Sequence, residues 1–410
     1  FEQADVHDFA WTADPDFLEI RRTFDADEDV TAEQYAEAAR LLDRPLEEVR
    51  LRDVEIILLL QPAHAPQAER HVRAARAAVR WYGLWFGRYP HDTLTVVDPA
   101  PGGRGAYGME YPTFITAGTI FAFNRWPFDR ILMPEEVIVH EIGHQYWQGL
   151  VASNEFEEPW LDEGFTTWST AKAMVREYGP VVAQLFGLGL ERFEGLHVAN
   201  RASRDFDPVR GPAWDVSDDY RFDIYTRTAL TLDTLERLVG EETMARIMRT
   251  YHERWRFAHP RSEDFYAVAS EVSGQDLSEF FAQTVEQPGH LDYEVASVRS
   301  LPHREARGIL DDGAEATRTL PEADEEDAEA WRSVVLVRRR GEVVLPVDVE
   351  LQFEGAPPER RHWDGRERWV RYEVTGPHRL VAAVVDPDEA LSLDVNRLNN
   401  ARRVDSDGTT

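Results

Sequence analysis

At ~150 residues per domain, 410 residues amount to two or three domains with material for a large buried core, which excludes a small stapled scaffold. A chain that is 43% hydrophobic and 11% aromatic is too rich in large apolar side chains to be disordered, and with no cysteine any metal site must be built from His, Asp and Glu. The 76 acidic against 45 basic residues, a net charge of −31, argue against nucleic acid as a partner.

Along the chain, a helix is expected over 31–42 with Thr31 as its cap, then the apolar strand 54–60. A long amphipathic helix follows over 67–86, stopped by Gly87 and Pro90, with Trp81 and Trp85 one helical turn apart as core residues. Strand 93–97 leads into a glycine-rich loop, 101–108, and a short strand over 111–115. From Pro134 to about Gly289 the periodicity is helical almost throughout, with Glu135 and Glu136 behind Pro134 at the positive end of a helix. Helices are expected over 180–200, 226–239, 242–256, 263–272 and 278–285. After Leu291 the period changes to two, with strands over 333–338, 342–349, 369–374 and 379–385, as in a small β-sandwich. The residues around 321–329 form an acidic, low-complexity stretch.

The segment Val139-His140-Glu141-Ile142-Gly143-His144-Gln145 carries an HExxH motif on one of these helices. A spacing of four puts His140 and His144 on one face, with Cβ atoms ~5–6 Å apart, so both imidazoles can reach one ion. Two histidines alone hold zinc weakly. A third ligand is expected, with the fourth position left to water, and Glu163 stands nineteen residues after His144 in Trp160-Leu161-Asp162-Glu163-Gly164-Phe165. The other reading is a solvated surface helix whose Glu141 pairs with an arginine. Glu157, Glu158 and Asp162 are candidates to accept the second N–H of a ligating histidine. His64, His197, His252 and His290 have no ligand spacing and are read as packing or surface residues.

The run His140-Glu141-Ile142-Gly143-His144-Gln145-Tyr146-Trp147, with Glu163 standing eighteen intervening residues beyond His144, resembles the gluzincin aminopeptidases of the aminopeptidase N type. Gly108-Met109-Glu110-Tyr111-Pro112 is similar to that family's Gly-x-Met-Glu-Asn strand. Tyr225-Thr226-Arg227-Thr228, with Tyr220 five residues earlier, resembles its Tyr-x-Lys-Gly helix start. Tyr111, Asp162 and Arg227-Thr228 depart from the family's residues. The resemblance covers roughly 80–290.

The resemblance implies an α+β chain: a thermolysin-like zinc peptidase catalytic domain, mainly helical in its second half, over 46–290, then a β-sandwich domain over 291–400 and a tail over 401–410. Residues 1–45 are expected to be the tail of a largely absent N-terminal β domain, which the chain would contact. It further implies one Zn2+ per chain held by His140, His144 and Glu163, with Glu141 as base and Tyr225 as oxyanion donor. Tyr220 is the rival for that donor role. Glu110 would pair with the substrate's α-ammonium, on a strand where Gly108 and Met109 line the substrate path. The expected substrates are peptides with a free N-terminus. An endopeptidase or epoxide hydrolase on the same scaffold, or a catalytically weak interaction module, are the alternatives.

No apolar run approaches the ~20 residues of a membrane span, and the sequence opens at Phe1 without an initiator Met or an apolar signal region, as expected of a fragment whose targeting segment lies elsewhere, so the compartment is left unknown. Lys172 is the only lysine. The acidic excess points to a salt-adapted source, because at ~1 M salt the screening length falls to ~3 Å. The alternative is an ordinary acidic protein from a GC-rich genome, which would explain the arginines without salt adaptation.

Overall fold

The computed structural model describes residues 2–100, 102–103, 107–119, 121–185, 188–203, 205–215, 220–303 and 330–404. The acidic stretch at 321–329, part of the glycine-rich loop and the last six residues therefore lie outside the described residues. The chain divides into two units, Phe1–Pro288 and Gly289–Thr410.

The first unit is built on a five-stranded sheet of order β1-β2-β3-β5-β4. Second from one edge is β2 (Val54–Leu60), whose Val54, Ile56, Leu58 and Leu60 are buried while the residues between them are partly exposed. The strand β1 (Leu18–Phe24) runs antiparallel to β2, pairing Leu18 with Leu60. On its other side β3 (Thr93–Val97) is parallel to β2, and β5 (Phe114–Ala117) is parallel to β3. A two-residue strand, β4 (Gly108–Met109), closes the edge antiparallel to β5. The site lies along that edge.

Helix α1 (Ala32–Leu42) starts as the sequence predicts, with the Thr31 side chain accepting from the Gln34 N–H and the Gln34 side-chain oxygen accepting from the Thr31 N–H. A single turn, α2 (Leu46–Val49), follows. The 19-residue α3 (Ala68–Phe86) buries Trp81, Tyr82 and Phe86. The Tyr82 hydroxyl, fully buried, donates to the Val139 carbonyl at 3.0 Å and ties α3 to α4 (Met133–Gly143), which carries His140 and Glu141. The guanidinium of Arg70 on α3 clamps the start of the same helix. It forms two bonds to Glu135, at 2.5 and 2.7 Å, and one to the Ile131 carbonyl at 2.9 Å. Three further helices complete this layer: α5 (Glu163–Tyr178), α7 (Thr228–Val239) and α8 (Glu241–Trp255), with α9 (Ser262–Ser273) beyond them.

The helix expected over 180–200 is instead a hairpin, β6 (Val181–Leu185) with β7 (Leu188–Glu191), followed by α6 (Arg192–Ala202). β-Branched Val181 and Val182 favour strand over helix, Gly189 weakens a helix, and the Leu132 N–H gives the Val182 carbonyl a partner at 3.1 Å. Tertiary pairing wins over an apolar spacing that suited either form. Among the described residues no helix is long and apolar enough to cross a membrane.

The second unit holds two antiparallel sheets, β12-β9-β8 and β11-β10-β13-β14. Strand β9 (Trp331–Arg339) lies between β8 (Tyr293–Pro302) and β12 (Trp369–Gly376), and β10 (Val347–Phe353) lies between β11 (Glu359–Trp363) and β13 (Leu380–Val385), with β14 (Ala401–Arg403) at the edge. The Ser300 hydroxyl oxygen accepts from the Leu380 N–H at 3.2 Å, joining the two sheets. The strand expected over 342–349 begins only at Val347, because Pro346 has no N–H for a ladder bond.

Candidate metal centre

Helix α4 presents His140 and Glu141 one residue apart, and His144 caps its end. The ring planes of His140 and His144 stand at 86° with centroids 4.7 Å apart, so both Nε2 atoms face one point, 3.1 Å from each other. The chain then makes a turn around Pro159–Leu161 and enters α5, whose first residue is Glu163. Its Oε2 lies 3.1 Å from His140 Nε2 and 3.2 Å from His144 Nε2. Behind Glu163, α5 seats closely against α7, which only a glycine allows, because a Cβ at Gly164 would meet Thr228 Cγ2 at 2.1 Å.

Three donor atoms within 4.8 Å of one another form a possible ion site. A tetrahedral ion with bonds near 2.0–2.1 Å needs its donors about 3.3 Å apart, which these separations approach. The remaining nitrogen of His144 is committed elsewhere: Nδ1 lies 2.5 Å from Asp162 Oδ1 and 3.2 Å from Thr166 Oγ1, which leaves Nε2 to the centre. Asp162 is thereby selected from the three carboxylates the sequence left open. Glu158 instead accepts from Ser262, at 2.6 Å. Burial disfavours a charged His144, yet Asp162 and Glu163 overcome it and raise its pKa well above the usual value, so the pocket calls for positive charge at this spot. Burial likewise opposes ionisation of Glu163, but His144 and His140 outweigh it and hold that carboxyl well below its usual range. Donor set, spacing and charge all fit a divalent ion.

Around this point lies a cavity of about 460 Å³ whose wall includes Gly108, Glu110, His140, Glu141, His144, Glu163 and Tyr225. Glu141 is 7% exposed, and burial, reinforced by Glu110 and Glu163 and opposed by the two histidines, raises its pKa to about 7. A carboxyl so placed can take a proton and return it at neutral pH. The backbone of β4 passes directly beside it, since a Cβ at Gly108 would stand 2.4 Å from Glu141 Oε1. Glu110 follows this strand, with a carboxylate oxygen within 4.8 Å of ligand atoms of Glu141 and His144.

Tyr225 sits in a stretch of π-helix, Arg221–Arg227, just before α7. Its ring stacks on His140 at 6.0 Å, and its hydroxyl donates to Glu163 Oε1 at 2.5 Å. Burial and then Glu163 push the phenol far above its usual pKa and keep it protonated. Two of the sequence-predicted residues stand off the cavity wall. Met109 pairs with Thr116 in the sheet, and the ring of Tyr220 lies 6.1 Å from that of Tyr225.

Sequence reasoning assigned no role to Gln145 or Arg192. Gln145, 4% exposed, donates from Nε2 to the carbonyls of Glu110 at 3.0 Å and Tyr111 at 3.3 Å, and accepts the Thr113 N–H at 2.7 Å. Its place directly after His144 was the one available signal. Arg192 lines the cavity and pairs with Glu136, and no local pattern marked it.

Residues 88–284 match the family model described as the peptidase family M1 domain. A leucyl aminopeptidase of Saccharolobus solfataricus is 28% identical over 166 residues, covering 38% of this chain and 20% of that protein. An aminopeptidase N of Lactococcus lactis is 31% identical over 166 residues, covering 38% and 18%. The chain thus spans about a fifth of the length of these curated relatives. Among solved structures, the crystal structure of Legionella pneumophila aminopeptidase A in complex with aspartic acid shares the fold, with a TM-score of 0.57 at 15% identity over 84% of this chain and 36% of that one. The histidine pair, its third carboxylate, the buried glutamate and the tyrosine all fall inside the matched segment, and across it this chain carries a peptidase family M1 domain of the aminopeptidase N type.

Proposed function

We propose that His140, His144 and Glu163 hold one Zn2+ per chain, in a thermolysin-like arrangement, and that the chain hydrolyses the N-terminal bond of peptides. The observation that carries this reading is the meeting of His140, His144 and Glu163 at one point of a cavity that also holds Glu141, Tyr225 and Glu110. Held by these three residues, a zinc ion would lower the pKa of a water and polarise an amide carbonyl, which is otherwise a poor electrophile. Glu141 takes the proton from the attacking water and passes it to the leaving nitrogen. Tyr225, held protonated, swings its hydroxyl from Glu163 to the oxyanion that forms on the former carbonyl. Glu110 pairs with the free α-ammonium, which selects substrates cut one residue from their start. An endopeptidase would have no use for such a carboxylate beside the ion.

The test is the rate on aminoacyl anilides, free and N-blocked, for the parent chain and for Glu141→Gln. Hydrolysis of the free anilides alone, lost by at least ~10²-fold in the variant while zinc content stays the same, is the expected result. Equal rates in parent and variant defeat the assigned base, and equal rates on blocked and free substrates defeat the aminopeptidase reading. The net charge of −31 further supports a salt-adapted protein.

A further inference from the structure

We infer that Gln145 is the positioning residue for the amine clamp: its carboxamide fixes the backbone that carries Glu110 to the end of the metal-bearing helix. The inference rests on the proposed aminopeptidase activity and deepens it. Between Gly108 and Phe114 the chain must leave β4, present Glu110 to the cavity and re-enter the sheet as β5. It does so through a turn closed by the Phe114 N–H donating to the Tyr111 carbonyl at 2.9 Å. Pro112 takes the second position, and Thr113 the third with φ +61°, a place that favours glycine and strains a β-branched side chain. Such a turn persists only if its surroundings over-determine it. The Thr113 carbonyl is taken by the Thr95 N–H at 2.8 Å, and Gln145 holds the turn from below.

Three hydrogen bonds from one buried side chain, to residues 110, 111 and 113, make the turn and His144 a single rigid piece. The carboxylate of Glu110 can then keep a fixed distance from the ion. Only an amide serves. A glutamate at 145 would accept from Thr113 but would face the two carbonyls with acceptors on both sides.

The decisive readout is a ratio of affinities measured by calorimetry on the zinc-loaded full chain. Leucine hydroxamate and its desamino analogue, 4-methylpentanohydroxamate, both bind through the metal and differ only in the ammonium that Glu110 would hold. In the parent the amine should improve binding by at least about tenfold, the scale of one hydrogen bond to a charged group. In Gln145→Glu and Gln145→Ala that ratio should fall to within about twofold of unity, as in Glu110→Gln, with zinc content unchanged and no further loss in the double variant. A merely structural role would weaken both ligands alike and leave the ratio standing. Retention of the ratio in the Gln145 variants, alongside its collapse in Glu110→Gln, overturns this inference and spares the amine clamp. No amine preference in the parent removes the clamp itself. Should Gln145→Ala fail to fold, Gln145→Glu alone decides, since it keeps the volume and the Thr113 bond.

Discussion

The carboxylate of Glu141 lies where it does because position 108 has no side chain. A methyl group there would stand 2.4 Å from Oε1, and the strand backbone cannot yield as a surface side chain does. Gly108→Ala should therefore displace the base by up to an ångström and lower kcat by about 10²-fold, with zinc content unchanged, as a single-turnover assay beside a metal assay would show. An unaltered kcat would mean that the base sits elsewhere. At this scale the sequence is informative wherever chemistry depends on spacing within one element. His140 and His144 share one face because four residues make about one turn, and Glu163 is singled out because a zinc site would ask for a third ligand. It is silent where a side chain's direction depends on another element. Nothing in Arg221–Arg227 signals the wider helical turn that carries Tyr225 to Glu163, and Asp162 is singled out from its acidic neighbours only by the fold.

Helix α4 is fixed at its start by the Arg70–Glu135 pair and at its finish by Gln145, so the register of its histidines is set from two sides. The turn at 111–114 stores strain at Thr113, where φ is +61°. A left-handed β-branched residue costs ~1–3 kcal/mol, and glycine returns ~0.5–1 kcal/mol of that as lost chain entropy. Thr113→Gly should thus stabilise the protein by about 1 kcal/mol in a denaturant titration; a loss of stability would show that the threonine side chain contributes contacts of its own. Elements whose apolar period and breakers agree, such as α3 with Gly87 behind it, are legible in the sequence. The hairpin β6–β7 is not, because its apolar residues suit a helix as well and the choice falls to pairing with the backbone at Leu132.

Over the whole molecule the dominant feature is charge. Acidic residues exceed basic ones by 76 to 45, and exposed arginines such as Arg21, Arg40 and Arg254 already pair with Glu19, Glu242 and Glu271, so the acidic excess leaves a net repulsion over the surface. Salt screens both the pairs and the repulsion, but exposed pairs are worth only ~0–1 kcal/mol each, while the net charge acts across the entire surface. The melting temperature should rise steeply between 0.1 and 2 M NaCl; a flat or falling curve would leave the arginine excess as a matter of base composition alone. The two-unit organisation is visible in the sequence as a change of period after residue 291, whereas the way β1 joins the central sheet is fixed by pairing with β2 and is not.

The most direct measurement is the metal content of the intact chain, dialysed against trace zinc, compared with that of Glu163→Ala and of His144→Ala. About one zinc per parent chain and less than a tenth of that in either variant is the predicted result, since two remaining ligands bind weakly. Equal zinc in all three proteins would contradict the convergence of His140, His144 and Glu163 on a single ion.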